Sequence, residues 1–337
     1  MISRRVTIQH VADKANVSVT AVSLFLNDKP GLADDTRKRI ADAVQKLGYV
    51  PRRQTVANVD PSLIGLVVER LPFSMFSDLH YGEVLHGMEA QARELGYHLS
   101  LIVIEPHETL DHMVERIKDV GGVLILGAGD ITETVIARIL SEDRPILVVD
   151  VNMPDKAVHS VLVDNIGGAY QITKYLLEKG YKRIACIQGA SKYPSLVERF
   201  QGYCLAHIEA GKTLDPALIQ ANISKGFPNK GYREMKALLA SGQSFDAVFC
   251  VSDRAALGAL QALQEANLLI PQDVALAGFE DVPQVGHTVP PLTTVKMPKG
   301  MMGKVAIQKL HEMIANKTKS EPVKTVLYTS LVIREST

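Results

Sequence analysis

The chain has 337 residues, of which 46% are hydrophobic and 22% are charged, and its formal net charge is zero. This composition is typical of a water-soluble globular protein, and the sequence contains no repeat or low-complexity segment. Cys186, Cys204 and Cys250 show neither CxxC spacing nor clustered histidine partners, which argues against a disulfide framework and a zinc site. No apolar run is long enough to span a membrane or to follow the first residues as a secretory signal, so we expect a cytoplasmic protein.

Charge is distributed unevenly along the chain. Residues 1–58 contain ten lysines and arginines against five aspartates, a net charge of +5, and the remainder carries the balancing −5. A basic head on an acidic body is typical of a protein that binds nucleic acid through one end, although an excess of this size also arises by chance.

The first 48 residues predict three short helices. Apolar residues recur at helical spacing after Thr7, the turn-forming stretch Asn16-Val17-Ser18 interrupts them, and a second helix is predicted from Val19 to Leu26. A third helix is predicted from Asp34 to Leu47, with Gly48 ending it. Two helices joined by a tight turn and supported by a third are typical of a helix-turn-helix DNA-binding domain.

Beyond residue 48 the pattern changes twice. Residues 49–61, YVPRRQTVANVDP, are polar, basic and bounded by prolines, which predicts a linker. Continuous apolar strands then alternate with helices, which predicts two doubly wound parallel sheets covered on both faces. The predicted strands are Ile64–Val68, His98–Ile104, Gly122–Leu126, Ile146–Val149, Ser160–Val163, Ile184–Ile187, Ala247–Val251 and Ala275–Ala277. The predicted helices include Gly82–Leu95, Gly167–Glu178, Tyr232–Leu239 and Arg254–Ala266.

Several segments follow the order of a known family. They are VTIQHVADKANVSVTAVSLFLND and TRKRIADAVQKLGYVP in the head, then IGLVV, LVDNIGGAYQITKYLLEKGYKRIACIQG, ERFQGY, FCVSDRAALGAL, IPQDVALAGFED and PPLTTVKMP. In this combination the chain resembles the LacI/GalR family of bacterial repressors over essentially its whole length. The resemblance implies an α/β fold with an all-α helix-turn-helix head and a periplasmic-binding-protein-like core of two doubly wound parallel-sheet subdomains. It also implies a homodimer on a near-palindromic double-stranded DNA operator and a small-molecule effector, most often a sugar, in the cleft between subdomains.

We therefore expect three regions. They are a DNA-binding domain over 1–48, a hinge over 49–61, and an effector-binding and dimerisation domain over 62–337, whose first subdomain covers about 62–159 plus 290–320 and whose second covers about 160–289 plus 321–337.

By the same resemblance, the second helix of the head enters the major groove, with Val19, Thr20 and Leu24 near base edges. Val19 and Leu24 offer only apolar contact, so base recognition would depend on Thr20 and on DNA shape. Phosphate contacts fall to Thr7, Ser18, Ser23, Asn27 and Thr36, although Thr7 and Ser18 are equally placed to cap helices.

The hinge departs from the family pattern. Asn58 stands where the family usually places a leucine that wedges into the minor groove. Val56 or Val59 are candidate replacements, and Arg52 and Arg53 remain available for phosphates.

The resemblance places effector contacts at His80, Tyr81, Asn152, Tyr193, Arg199, Asp253 and Glu280. A guanidinium such as that of Arg199 suits hydroxyls or a carboxylate, although an ion pair with Glu198 or another acidic neighbour is the alternative. Asp253 would either bind ligand or cap the helix that follows it, and Glu280 replaces a more usual aspartate. Asp164 and Asn165 are interpreted as structural or cleft-edge residues. Aromatic rings such as Tyr193 suit a sugar, but they suit a nucleobase or simple packing as well.

Two other functions fit the sequence less well. An enzyme is disfavoured because Gly127-Ala128-Gly129 is not a full GxGxxG and no GxSxG, HExxH or P-loop occurs, and we expect no cofactor or bound metal. A secreted sugar-binding transport protein would suit the core but not the basic head. For the homodimer, the helix carrying Val84, Leu85 and Met88 is a candidate interface, unless the protein's own sheet covers that face.

Overall fold

The computed structural model describes residues 7–26, 31–47, 59–69, 79–105, 108–127, 131, 133–221, 230–316 and 321–337. The chain divides into two compact units, Met1–Asn58 and Val59–Thr337, and the division falls inside the predicted linker. Each unit has its own hydrophobic core.

The first unit contains the three predicted helices with the predicted bounds: α1 (Ile8–Ala15), α2 (Val19–Leu26) and α3 (Asp34–Leu47). Asn16 ends α1 in the left-handed conformation, with φ 53°, which an asparagine tolerates better than most residues. One small core joins the helices, and its buried members are Val11, Ala12, Ala15, Val22, Ile40 and Ala43.

The second unit begins with a six-stranded parallel sheet. Its strands are β1 (Asp60–Glu69), β2 (His98–Ile104), β3 (Val120–Leu126), β4 (Ile146–Val149), β5 (Ser160–Val163) and β11 (Lys324–Leu327). Their order across the sheet is β11-β5-β4-β3-β1-β2. Successive residues of β1 face opposite cores: Leu66 and Val68 lie in one buried cluster and Val67 in another. The sheet is therefore covered on both faces, as its continuous apolar strands predict.

A four-stranded parallel sheet forms the second subdomain. Its strands are β6 (Ile184–Gly189), β7 (Ile219–Ala221), β8 (Ala247–Cys250) and β9 (Ala275–Ala277). They lie in the order β7-β6-β8-β9. A separate antiparallel pair joins β10 (Thr294–Lys296) to β12 (Ser330–Val332). All eight predicted strands are present, with end shifts of a few residues.

The helices of the second unit are α4 (Leu79–Glu94), α5 (Leu110–Arg116), α6 (Glu133–Leu140), α7 (Asn165–Glu178), α8 (Pro194–Glu209), α9 (Tyr232–Ala240), α10 (Asp253–Glu265) and α11 (Lys299–Asn316). The sequence analysis did not delimit α5, α6, α8 or α11. The helix α8 matters most among these because it carries the arginine of the ERFQGY motif.

Two strands lie on the other side of the predicted subdomain boundary. Residues 160–163 and 321–337 are predicted from the sequence to belong to the second subdomain. In the structure, β5 pairs with β4, and β11 pairs with β5. Both strands therefore extend the first sheet. Apolar strand residues look alike in the two sheets, and only the pairing distinguishes them.

The apolar face of α4 is covered within the same chain. Val84 and Met88 are fully buried and Leu85 nearly so, in the core cluster that also contains Met302 and Ile307 of α11. Of the two alternatives left open for these three α4 residues, coverage within the chain is therefore the one observed, because α11 and the sheet cover them.

Close contact between α4 and α11 depends on glycine. A Cβ atom at Gly87 would lie 2.1 Å from the backbone oxygen of Gly300, and one at Gly303 would lie 2.2 Å from the backbone oxygen of Val84. Backbone atoms cannot rotate away as a side chain does, so the two helices can approach this closely only because both positions lack a Cβ.

We expect Gly87→Ala to lower the free energy of unfolding by about 1–3 kcal/mol, since the added methyl group forces α4 and α11 apart. The matched control is Gly300→Ala, on the opposite side of the same contact, where a Cβ would meet nothing nearer than 4.0 Å. Urea denaturation of both variants checks this, and equal stability of the two would show that the helices do not cross as described.

Candidate functional site

In the head, two of the predicted phosphate-contact residues cap helices. The Thr7 hydroxyl accepts from the His10 N–H at 3.4 Å, and the Ser18 hydroxyl accepts from the Ala21 N–H at 3.1 Å. The caps do not exclude phosphate contact by the same two residues, since a capped helix N-terminus also favours an approaching phosphate.

The helix α2 presents its predicted base-contact residues unequally. Thr20 is exposed and Leu24 is half-buried, whereas Val19 packs partly against the core of the head. Thr20 is thus the most available of the three for the major groove. Ser23 is half-buried, and the Thr36 hydroxyl accepts from Arg39 Nη2 at 3.4 Å. Asn27, Arg52 and Arg53 lie outside the described residues.

In the second unit, Arg199 of α8 is buried, with 1% of its surface exposed. Its Nη1 donates to Glu280 Oε1 and to the Val251 carbonyl, each at 2.9 Å, and its Nε donates to Asn165 Oδ1 at 2.9 Å. The guanidinium also lies over the Phe279 ring, 4.2 Å from its centroid. The structure thus brings together two of the predicted effector residues, and the ion pair that was the alternative role of Arg199 is present, with Glu280 rather than Glu198.

The loop that carries Glu280 has an unusual backbone. Glu280 has φ 121° and Asp281 has φ 52°, a region that favours glycine. Flanking contacts hold it: the Glu280 N–H donates to the Val295 carbonyl at 2.7 Å, and Arg334 Nη2 donates to Asp281 at 2.6 Å. The strained loop fixes the Glu280 carboxylate beside Arg199.

Asp253 supports this loop from within the core. It is fully buried; its Oδ1 accepts from the Thr294 hydroxyl at 2.6 Å and its Oδ2 from the Val282 N–H at 2.9 Å. The cap of α10 is Ser252, whose hydroxyl accepts from the Ala255 N–H at 3.3 Å. The cap that the sequence offered to Asp253 is therefore supplied by Ser252, and the observed contacts of Asp253 are those of a residue that positions the Glu280 loop.

The environment of Asp253 also alters its ionisation. Burial, followed by repulsion from Glu280, raises the pKa of Asp253 to about 7, against the hydrogen bonds from Thr294 and Val282. The carboxyl group is thus readily protonated in the folded protein near neutral pH.

The remaining predicted effector residues belong to α4, to the start of α8 and to the segment after β4. Tyr193 is the N-cap residue of α8 and is half-buried, with the Lys192 ammonium 4.9 Å from its ring centroid. Tyr81 lies half-buried in α4, packed against the large core cluster. The side chain of His80 lies outside the described residues. Asn152 follows β4 and hydrogen-bonds across to Glu198 of α8 at 2.5 Å.

Three further polar residues were not predicted as effector contacts. Lys230, just before α9, is half-buried; burial lowers its pKa, and the Glu280 carboxylate opposes that effect. Asp150, directly after β4, has φ 60°. Asn165 links Arg199 to Glu198. A polar residue at the carboxyl end of a parallel strand was a sequence signal for Asp150, whereas nothing in the sequence distinguishes Lys230 from a surface lysine.

Within the described residues, no group of three or more His, Cys, Asp or Glu side chains could hold a metal ion. No helix in that part of the chain is both long and apolar enough to cross a bilayer.

Two family models match the chain. Residues 7–52 match the bacterial regulatory proteins of the lacI family, and residues 173–337 match a periplasmic binding protein-like domain. Both matches agree with the fold.

Individual relatives match over nearly the full length. The chain is 33% identical to the HTH-type transcriptional regulator CelR of Thermobifida fusca, over 99% of this chain and 98% of that protein. It is 31% identical to the HTH-type transcriptional repressor PurR of Histophilus somni, over 98% of both. Among solved structures, a transcriptional regulator CelR–cellobiose complex superposes with a TM-score of 0.74 at 32% identity, covering 99% of this chain and 100% of that one. The lac repressor dimer bound to operator and the anti-inducer ONPF shares the fold, with a TM-score of 0.70 at 22% identity over 99% of each chain.

The raised pKa of Asp253 predicts a pH effect. Because the folded-state pKa is about 7 and the ordinary value is 3.8, the folded protein retains a proton that the unfolded chain releases between those pH values. Stability from this group is therefore greatest below about pH 4 and is lost as the pH rises towards 7.

Asp253→Asn should remove that part of the pH dependence, so the melting temperature of the variant should fall less than that of the wild type as the pH rises from 4 to 7. Its stability should be close to that of the protonated wild type, since the amide can accept from the Val282 N–H and donate to the Thr294 hydroxyl. Differential scanning calorimetry at several pH values measures the slope, with the exposed Asp155→Asn as control. A slope unchanged by Asp253→Asn but changed by the control would contradict the assignment.

Proposed function

The chain belongs to the LacI family of bacterial regulatory proteins, and from that premise we propose that it is a repressor whose binding to an operator is controlled by a small sugar in the cleft between its two subdomains. It is a DNA-binding transcriptional regulator, as its relatives are. The observation that carries the effector proposal is the buried pair Arg199–Glu280, where the loop after β9 meets α8. We propose a regulatory rather than a catalytic role for this site.

The chemistry around the pair suits a sugar. A carboxylate accepts from hydroxyls, a guanidinium and an ammonium donate to them, and an aromatic ring packs on the apolar face of a pyranose. Glu280, Arg199, Lys230 and Tyr193 supply these groups. The cellobiose bound by the similar CelR supports the same ligand class.

For the head, we propose that Thr20 and Leu24 of α2 contact base edges and that Thr7, Ser18, Ser23 and Thr36 lie near phosphates. Val19 would contribute mainly to the core. Asn27, Arg52 and Arg53 keep their sequence-based assignment to the DNA backbone. The protein would act as a homodimer on a near-palindromic operator in the cytoplasm, because one small head makes few contacts and two heads double them.

We expect Thr20→Ala to change sequence preference and Arg52→Ala to weaken binding to all duplexes. A lost base contact costs about 1–3 kcal/mol at one position, whereas a lost phosphate contact lowers the salt slope by about one. Selection from random duplexes, followed by fluorescence anisotropy over a range of KCl, measures both. A chain beginning at Val59 is the control, and its retention of operator binding would refute the role of the head. Selected sites without inverted half-sites would contradict the dimer.

We expect Glu280→Gln to lower sugar affinity about tenfold to a hundredfold, since hydrogen bonds to charged groups contribute roughly 1.5–3 kcal/mol. Glutamine keeps the shape and can still accept from Arg199, so this variant is a milder test than Arg199→Ala, which would leave buried partners unpaired.

A thermal-shift screen of sugars, cellobiose included, sugar phosphates and nucleosides would first identify a ligand, and calorimetric titration would then compare the variants. The control is Glu312→Gln, an exposed glutamate of α11. Unchanged affinity in Glu280→Gln would show that the site is misplaced, and stabilisation by nucleosides alone would show that the ligand class is wrong.

A further inference from the structure

A chain of hydrogen bonds leads from Arg199 to the six-stranded sheet. Asn165 Oδ1 accepts from Arg199 Nε at 2.9 Å, and Asn165 Nδ2 donates to Glu198 Oε2 at 2.9 Å. The other oxygen of Glu198 accepts from Asn152 Nδ2 at 2.5 Å, and Asn152 Oδ1 accepts from Lys324 Nζ at 2.8 Å. Side chains from four separate segments are thus connected in series.

One link of this series joins the two subdomains. Asn152 follows β4, and Lys324 begins β11, so both belong to the six-stranded sheet. Glu198 and Arg199 belong to α8, which packs beside β6 of the second sheet. The Asn152–Glu198 hydrogen bond therefore breaks whenever the two subdomains separate at this point.

The two cations at the ends fix the polarity of the series. An ammonium and a guanidinium can only donate, so the amide oxygens of Asn152 and Asn165 must face Lys324 and Arg199. Both amide nitrogens are then turned towards Glu198. The residue between them presents one acceptor oxygen to each asparagine, as a carboxylate does, whereas a glutamine in the same place would turn an NH₂ donor towards one of them.

We propose that Glu198 is a positioning residue that couples closure of the two subdomains to the orientation of Arg199. With the cleft closed, Asn152 holds one carboxylate oxygen and leaves the other aimed at Asn165, which in turn holds Arg199 Nε. When the cleft opens, Glu198 loses its partner from the first subdomain, and the support behind Arg199 loosens. The link to regulation rests on the proposed function, in which Arg199 contacts the effector.

The direction of the hydrogen bonds in this series can be tested by exchanging donors and acceptors at Glu198 and Asn152. Glu198→Gln places an amide N–H against one of two amide nitrogens, and Asn152→Asp places a carboxylate against Glu198; each should favour the open form. The double variant restores the pattern, because the introduced glutamine accepts from Asn165 and donates to the introduced aspartate, whose carboxylate still accepts from Lys324. The control is Glu209→Gln, also on α8, since Glu209 bonds to Tyr170 and Lys174 within the second subdomain.

Closure would be measured in the full-length protein by fluorescence energy transfer, without effector or DNA. Dyes would be placed on Ser141→Cys and Ser244→Cys, at exposed positions of the two subdomains, in a Cys204→Ser background, and diluted with unlabelled protein. We expect each single variant to lower the ratio of closed to open molecules about tenfold, and the double variant and the control to match the wild type. The nitrogen-15 resonance of Arg199 Nε–H should lose its protection from solvent exchange in the single variants and regain it in the double.

The inference is overturned if the two single effects simply add in the double variant, or if neither single variant changes the energy transfer. It is equally overturned if melting temperatures show the pattern of loss and rescue while the energy transfer stays constant, because Glu198 would then be structural only. None of these measurements uses operator or sugar, so failure here leaves the proposed function to its own tests.

Discussion

Burying the charge of Arg199 is the constraint around which the second unit is arranged. An isolated cation in the interior costs several kcal/mol, so every neighbouring element must offer it an acceptor or a π-face. The carbonyl after β8, the first residue of α7, and the ring and carboxylate after β9 all do so. Segments distant in sequence are thereby tied to one point. A ligand that competes for any of these acceptors acts on all of the segments together.

The support of Arg199 is layered. Asp253 holds the loop that carries Glu280. Gly278 leaves room for the Asp253 side chain, because a Cβ at position 278 would lie 2.2 Å from Asp253 Oδ1. On the other side, Asn165 and Glu198 extend the contacts towards the first sheet. The site is thus held by polar contacts from both subdomains, which is the arrangement that lets a small displacement at the ligand reach distant parts of the unit.

Local patterns in the sequence were enough to predict the head and most strands. The caps Thr7 and Ser18, the turn at Asn16 and the apolar spacing of α1–α3 are all set by neighbours along the chain, and the predicted bounds are those observed. Pairing between distant segments was not predictable in the same way, so β5 and β11 were assigned to the wrong subdomain. The residues of the site were predicted by type but not by partner: Arg199 pairs with Glu280, Asp253 is a support, and the polarity of Glu198 depends on two asparagines that only the fold brings near.

The backbone of Glu280 and Asp281 has a consequence for how the sequence can change. Each residue holds a conformation that costs a side chain about 1–3 kcal/mol and costs glycine little. Glutamate and aspartate codons each become glycine codons by one nucleotide change, so a less strained backbone is always a single mutation away. At position 280 that mutation would also remove the carboxylate beside Arg199. Losing the counter-ion of a buried cation costs roughly 3–5 kcal/mol, which exceeds the strain relieved, so selection for thermal stability and selection for the switch both retain glutamate at this position, and the strained backbone persists with it.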